Sequence, residues 1–358
     1  MRIVTVAYLH GSGGAERQIT MLSNELVKRG HEVHMIVLAE FNKKYDIDDK
    51  VSIHDLTSFD KSSLHPIVSR YKALKKAYKD IKPDVVVHYN LQSAYLTAVM
   101  PRAYYHKSIY SERGDPYDDE YSGLLGKIRD WAVKRIDGFV FQSEGARDFF
   151  DKNIHKRSIV IHNSVNISVD KYPIPLERDN RIVCVGRLHP QKNHALLIEA
   201  FAKIANDFPN IILEIYGDGA LREKLLNKID KLGLTERIKL YPSRPDILNA
   251  IRTAQLFVLS SDYEGMPNAL MEAMALGMPC ISTDCRPGGA RTLIEDGVNG
   301  FIVPRMDENA LADKIRYVLL HPEVSDLISL NARSIVSTHT NEFIFNQWEQ
   351  FLHNITII

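Results

Sequence analysis

"AQLFVLSSDYEGMPNALMEAMALGMPCISTD" (residues 254–284) is the stretch from which the fold is read. The apolar run 254–260 predicts a strand, the helical period of 266–276 a covering helix, and "PCISTD" (279–284) a second strand. Pro267 belongs in the first helical turn, where the N–H it lacks would have no partner within the helix. Two short strands joined by one helix make a unit of parallel sheet with a helix on its face.

The same alternation runs outward in both directions. In the second half, "RIVCVGRL" (181–188), "IILEIYG" (211–217) and "RIKLYP" (237–242) predict further strands, with helices over 192–207, 219–232, 244–252 and 307–320. The first half repeats the pattern, with strands at 2–9, 32–39, 51–56, 84–89, 107–111, 138–143 and 158–163 and helices beginning near Gly14, His65, Leu91 and Ser122. Residues 164–180 hold two prolines and little period and are read as a linker.

The predicted fold class is therefore α/β, two doubly wound parallel-sheet domains facing each other, covering 1–165 and 166–340, with a ligand cleft between the carboxyl ends of their strands. The tail 341–355 is amphipathic, offering Phe343, Trp348, Phe351 and Leu352 for one face, and could pack back on the first domain or on the second.

Composition narrows the function classes. The 358 residues carry no net formal charge, which gives no reason to expect a nucleic-acid partner. The charge is uneven: residues 1–166 hold 25 Lys+Arg against 21 Asp+Glu (+4), and the remainder 20 against 24 (−4), so the first half is the one expected to meet an anionic surface. Cys184, Cys280 and Cys285 lack CxxC spacing and lie in or near apolar strands, which implies a reducing, cytoplasmic setting. No apolar run approaches the roughly 18 residues that span a bilayer, so membrane contact is expected to be peripheral.

The strand ends carry the candidate chemistry. A helix starting after Pro267 aims unpaired N–H groups at the strand's end and makes an anion site there. Two glutamates beside it, Glu264 and Glu272, suit a ligand with hydroxyls at both ends and a diphosphate between, the shape of a nucleotide sugar. A dipole partner and a solvated helix face would have the same spacing. In "VGRLHPQKN" (185–193), Arg187 and Lys192 follow a strand and would neutralise charge building on a departing diphosphate, which makes a metal dispensable; a solvated loop would carry the same pair. The turn "YLHGSGGAERQI" (8–19) invites a dinucleotide reading, but that fingerprint needs glycine where Glu16 stands, although Glu40 could mimic its ribose-binding acid.

Taken together, "GRL…QKN" (186–193), "YGDGALREKL" (216–225), the Glu264–Glu272 stretch and "GGARTLIEDGVNGFIV" (288–303), with "GGAERQ" (13–18) and "IHNSVN" (161–166), resemble family 4 of the retaining glycosyltransferases, of the bacterial surface-polysaccharide type. The resemblance covers the whole chain and implies the GT-B fold, two Rossmann-like domains. It implies that Arg187 and Lys192 hold the donor diphosphate, Glu264 contacts the donor sugar and Glu272 the ribose. Gly265, Met266, Pro267 and Asn268 would line sugar and phosphate, Gly14 would close the phosphate side from the first domain, and the second domain would bind the donor.

Many family members have a histidine where this chain reads "IYSERGDPYDDEY" (109–121); here Glu112 or Arg113 is expected to touch donor or acceptor, or else to fix the loop as an ion pair. His88, at a strand end, either meets the acceptor or is a satisfied core histidine. The D-x-D in "YDIDDK" (45–50) sits in a polar loop and is not read as a metal site, and His31 and His34 are poor joint ligands. The helix 65–83 interleaves Arg70, Lys72, Lys75, Lys76, Lys79 and Lys82 with Ile67, Val68, Tyr71, Leu74 and Tyr78, as a helix lying on an anionic inner leaflet would; a solvated face fits as well.

The expected function is transfer of a hexose or N-acetylhexosamine from a nucleotide sugar, UDP-linked, to a hydroxyl of a lipid-linked or growing glycan, with retention and with neither cofactor nor metal. For base recognition the expectation falls on Ser243 and Arg244. The alternatives are a nucleotide-sugar epimerase, a sugar phosphorylase, an NAD(P)-dependent oxidoreductase, and a non-catalytic binder of nucleotide sugars.

Overall fold

In β1 (Arg2–Leu9), Ile3 and Ala7 enter one apolar cluster while Val4 and Val6 enter another, because successive strand side chains point to opposite faces of a sheet that is covered on both. The computed structural model describes residues 1–9, 13–41, 45–57, 66–117 and 123–357. The chain divides into two compact units, Met1–Asn163 with Glu342–Ile358, and Ser164–Asn341.

In the first unit, β1 pairs in parallel with β2 (Glu32–Phe41) and β4 (Val85–His88), β2 continues to β3 (Ser52–Asp55), and β4 to β5 (Lys107–Ser111), β6 (Gly138–Phe141) and β7 (Ser158–Val160). The order β3-β2-β1-β4-β5-β6-β7 reverses between β1 and β4, which is the doubly wound signature. The C-terminal helix Asn341–Ile357 lies on one face of this sheet, where Ile344, Phe345, Trp348 and Leu352 pack with Ile3, Leu22, Val85 and Ile109. Arg29 and His31 fasten it from outside through the two oxygens of Glu349, at 2.7 and 3.0 Å.

The second unit holds β8 (Asp179–Val185), β9 (Ile212–Tyr216), β10 (Ile238–Tyr241), β11 (Ala254–Leu259), β12 (Cys280–Thr283) and β13 (Phe301–Val303), all parallel, in the order β10-β9-β8-β11-β12-β13. Again the order reverses between β8 and β11. Ile182 and Cys184 face one core, and Val183 between them faces the other.

Several element ends differ from expectation for identifiable reasons. Asp179 and Asn180, read with the linker, open β8, since the Asp179 carboxylate is held by Arg181 and Thr253. At its other end β8 stops before Gly186, where the chain bends over the end of β9: Gly186 N–H donates to Tyr216 O and Leu188 N–H to Asp218 O. A Cβ on Gly217 would lie 1.9 Å from the Gly186 oxygen, so only glycine permits that bend. β13 lies in the stretch 288–303, for which the sequence predicts no strand. Helices Gly289–Leu293 and Pro322–Ala332 were also missed. No helix among the described residues is long and apolar enough to cross a membrane.

Candidate functional site

The helix after β11 runs Asn268–Ala275, two residues later than its sequence period predicts. Pro267 is the cap, extended at φ −78° and ψ 99°, and not part of the first turn. Glu264 therefore lies in the strand-to-helix connection, outside the helix that carries Glu272. Glu272 is half-buried on the helix itself.

Around Glu264 the second unit gathers opposite charges from the ends of two strands. Glu264 is 7% exposed, and its Oε1 is paired with Lys192 and accepts from Ser261 Oγ at 2.7 Å. A buried carboxylate of this kind needs a partner, and the half-buried Lys192 provides it. The two strand-end loops that supply them are tied together: Asn193 Nδ2 donates to Asp262 at 3.0 Å, Gln191 Nε2 to Tyr263 O at 2.9 Å, and Ser260 Oγ to Lys192 O at 2.9 Å. From the far side, Glu264 N–H donates to Arg286 O. Gly265 carries its carbonyl so close to Gly289 that a Cβ there would lie 2.3 Å away.

Arg187 stands on the same loop as Lys192, exposed, its guanidinium touching Gln191 Oε1 at 3.4 Å. Met266 and Pro267 are buried and Asn268 is half-buried at the helix start. Arg187, Lys192, Glu264, Gly265, Met266, Pro267 and Asn268 thus share the ends of β8 and β11. Arg244 stands apart after β10, exposed and gripped by both oxygens of Asp246 at 2.6 and 2.7 Å. Beside it Ser243 N–H donates to Asp218, and Tyr241 stacks on Tyr216 with ring centroids 5.1 Å apart.

In the first unit the candidates are held separately from one another. Gly14 is exposed as the first residue of the helix Gly14–Lys28, and Glu16 reaches back to the Gly13 N–H at 3.3 Å, so the residue that spoils the dinucleotide fingerprint caps the helix instead. His10, Gly11 and Ser12 of that turn lie outside the described residues. Glu112 is buried and accepts from Tyr110 OH at 2.8 Å and Gly114 N–H at 2.9 Å; burial raises its carboxyl above the usual range. Arg113 instead donates to Tyr89 OH at 2.7 Å and Asn163 at 3.0 Å, with its guanidinium 4.2 Å from the Tyr89 ring centre and 5.6 Å from that of Trp348. The two do not form the ion pair weighed for them. His88 is wholly buried, bonded through Nδ1 to Ser93 Oγ at 2.9 Å, and desolvation lowers its pKa to about 3.

Asp46 and Asp48 of the D-x-D stretch take part in turn bonds with Asn24 and Lys50. Among the described residues one group could hold a metal by proximity, His31, Glu349 and His353, but Arg29 occupies the second oxygen of Glu349 and His31 Nδ1 faces the Met1 amino nitrogen at 3.3 Å. Sequence reasoning passed over Ser261, Asn193, Asp262 and His194. Their only signal was position, beside strand ends that already carried candidates.

Two family models match adjoining parts of the chain: Glycosyltransferase Family 4 over residues 12–169 and Glycosyl transferases group 1 over residues 169–335. The chain belongs to the glycosyltransferases these describe, and its two doubly wound units are those of the GT-B fold. It is 27% identical, over 99% of both chains, to a Campylobacter jejuni GalNAc-alpha-(1->4)-GalNAc-alpha-(1->3)-diNAcBac-PP-undecaprenol alpha-1,4-N-acetyl-D-galactosaminyltransferase. A Rhizobium meliloti lipopolysaccharide core biosynthesis glycosyltransferase, LpsE, is 27% identical over 98% of both chains. Among solved structures, Anabaena Alr3699/HepE in complex with UDP superposes with a TM-score of 0.83 at 19% identity, covering 99% of this chain and 100% of that one.

Proposed function

We propose that the protein transfers a hexose or N-acetylhexosamine from a UDP-linked sugar to a hydroxyl of a lipid-linked or growing bacterial glycan, with retention and without a metal. The observation that carries this reading is the Lys192–Glu264 pair with Ser261, set beside Arg187 and the start of helix Asn268–Ala275. Arg187 and Lys192 would take the charge of the departing diphosphate, Glu264 would meet the donor sugar and Glu272 the ribose, with Gly265, Met266, Pro267 and Asn268 lining the ligand. Arg244 and Ser243 are assigned to the side of the base, and Gly14 to the phosphates. Glu112 is assigned to the reacting end, with Arg113 holding its loop. The relatives named above support the class of acceptor and donor.

Thermal unfolding with UDP, GDP, ADP and NADH, each with and without EDTA, tests this. A nucleotide at about a hundred times its dissociation constant stabilises its host by about 2.7 kcal/mol. The expected result is a shift with UDP that EDTA leaves intact and Glu272→Ala removes. A shift with NADH alone would discard the reading.

Peripheral contact with an anionic membrane belongs to the same proposal. In the helix Pro66–Ile81, Leu74 and Tyr78 are buried, while Ile67 and Val68 are 60% and 50% exposed and Lys72 and Lys79 are exposed beside them. Arg70 is engaged by Gln92 and Lys76 by Asp80. Cosedimentation with anionic vesicles that persists after Lys72, Lys75, Lys76 and Lys79 are changed to Gln would refute the contact.

A further inference from the structure

The loop that carries Arg187 is fixed through its backbone while the Arg187 side chain is nearly unrestrained. Its carbonyl oxygen receives two donors. One is His189 N–H at 2.8 Å, a bond between residues two apart that closes a tight and easily opened turn. The other is the ring of His194, whose Nε2 lies 3.2 Å away. A carbonyl only accepts, so His194 carries its proton on Nε2 and leaves Nδ1 as an acceptor. Behind Nδ1, at 3.5 Å, is the sulfur of Cys184, a thiol that therefore donates. The order of the relay is Cys184 S–H to His194 Nδ1, then His194 Nε2–H to the Arg187 carbonyl.

The surroundings keep the relay in this one form. His194 is 2% exposed and Cys184 1% exposed. Burial pushes the thiol up to about 12 and the imidazole down to about 4, with the neighbouring Lys192 cation adding to the second effect while Glu264 opposes it. The ring is therefore neutral and the thiol protonated at neutral pH. His194 is also the first residue of helix His194–Ile204, whose cap, Asn193, bonds Asp262. The same turn thus sets Lys192, the ring and the link to the Glu264 loop.

We propose that His194, braced by Cys184, is a positioning residue for the transfer step: by donating to the Arg187 carbonyl it holds the loop from which Arg187 reaches the donor diphosphate. This rests on the donor-site reading above and adds two residues to it that touch no ligand. The geometry makes the contribution one of placement. A guanidinium on a floating loop can still bind a diphosphate, but it meets the developing charge of the transition state less often.

The experiment compares His194→Leu, which fills the space without a donor, with His194→Gln, whose amide nitrogen reaches the place of Nε2, and with Cys184→Ala. Steady-state release of UDP from UDP-linked hexoses and N-acetylhexosamines is measured with a polyprenyl-diphosphate sugar as acceptor, together with UDP binding by thermal shift. His194→Leu is expected to lower kcat about tenfold, because the loss of one positioning hydrogen bond leaves Arg187 less often aligned with the developing charge, with KM changed less than about threefold. His194→Gln restores most of kcat, and Cys184→Ala loses less than His194→Leu. A His194→Leu protein with wild-type kcat overturns the inference alone, as does a His194→Gln protein that melts normally and stays as slow as Leu. Nitrogen-15 spectra of ring-labelled histidine test it without turnover: a His194 ring protonated at Nδ1 at neutral pH overturns it. Wild-type protein that neither binds UDP nor uses any nucleotide sugar overturns the donor-site reading and the inference with it.

Discussion

At the scale of residues, Lys192 and Glu264 satisfy each other, so in the proposed donor site a diphosphate would have to draw the lysine from a carboxylate it already has. Glu264→Gln keeps the shape and the bond from Ser261 but removes the competing charge. UDP is expected to bind it more tightly, by a factor of about 3–10, while turnover falls at least about tenfold. Weaker UDP binding by calorimetry would mean that Glu264 serves the nucleotide rather than restraining Lys192. His88 makes the clearest pH prediction. Burial lowers its pKa to about 3, so as pH falls below about 6.5 the unfolded chain takes up a proton that the folded chain refuses. The stability present above that pH is lost progressively toward about 3. Melting temperatures between about pH 7.5 and pH 4.5 should therefore fall more steeply for wild type than for His88→Asn, and parallel slopes would assign the acid sensitivity elsewhere.

At the scale of elements, the C-terminal helix Asn341–Ile357 is a structural part of the first unit. Its Trp348 is 2% exposed and lies under the Tyr89–Arg113 pair, so one side chain supports both the core of β1, β4 and β5 and the loop that carries Glu112. Trp348→Ala is expected to cost about 3–5 kcal/mol by denaturant titration, the usual value for a buried aromatic. Loss of less than about 1 kcal/mol would mean that the helix packs far more loosely than its burial implies. The strand-to-helix turns are set differently, by close backbone approach. Gly217 against Gly186, just past the end of β8, and Gly289 against Gly265, in the connection after β11, leave no room for a Cβ.

At the scale of the whole molecule, each unit builds its own apolar clusters. Those of the second unit draw on residues between Val165 and Ile335, whereas a cluster of the first draws on both Ile3–Ile161 and Ile344–Leu352. The two halves of the chain are thus unequal as fragments. Ser164–Asn341 expressed alone is expected to unfold cooperatively, and Met1–Asn163 alone is not, because it lacks the helix that closes its sheet. Cooperative melting of Met1–Asn163 near the temperature of the intact protein would contradict this.

The alternation of short apolar runs with helical periods was enough, on the sequence alone, to predict two doubly wound parallel sheets, since strand burial on both faces and helix amphipathicity are local patterns. Twelve of the strands β1–β13 were legible in this way; β13, in a glycine-punctuated stretch, was not. The placement of Arg187, Lys192 and Glu264 at the ends of β8 and β11 was legible too, because each follows directly on a run with strand character. Only tertiary structure decided that Lys192 and Glu264 are partners, that Glu112 and Arg113 are not, that His88 is sealed from solvent, and that His194 and Cys184 stand behind Arg187. Each of these depends on which residues distant in sequence approach within a few ångströms. That is a property of packing, and no local period encodes it.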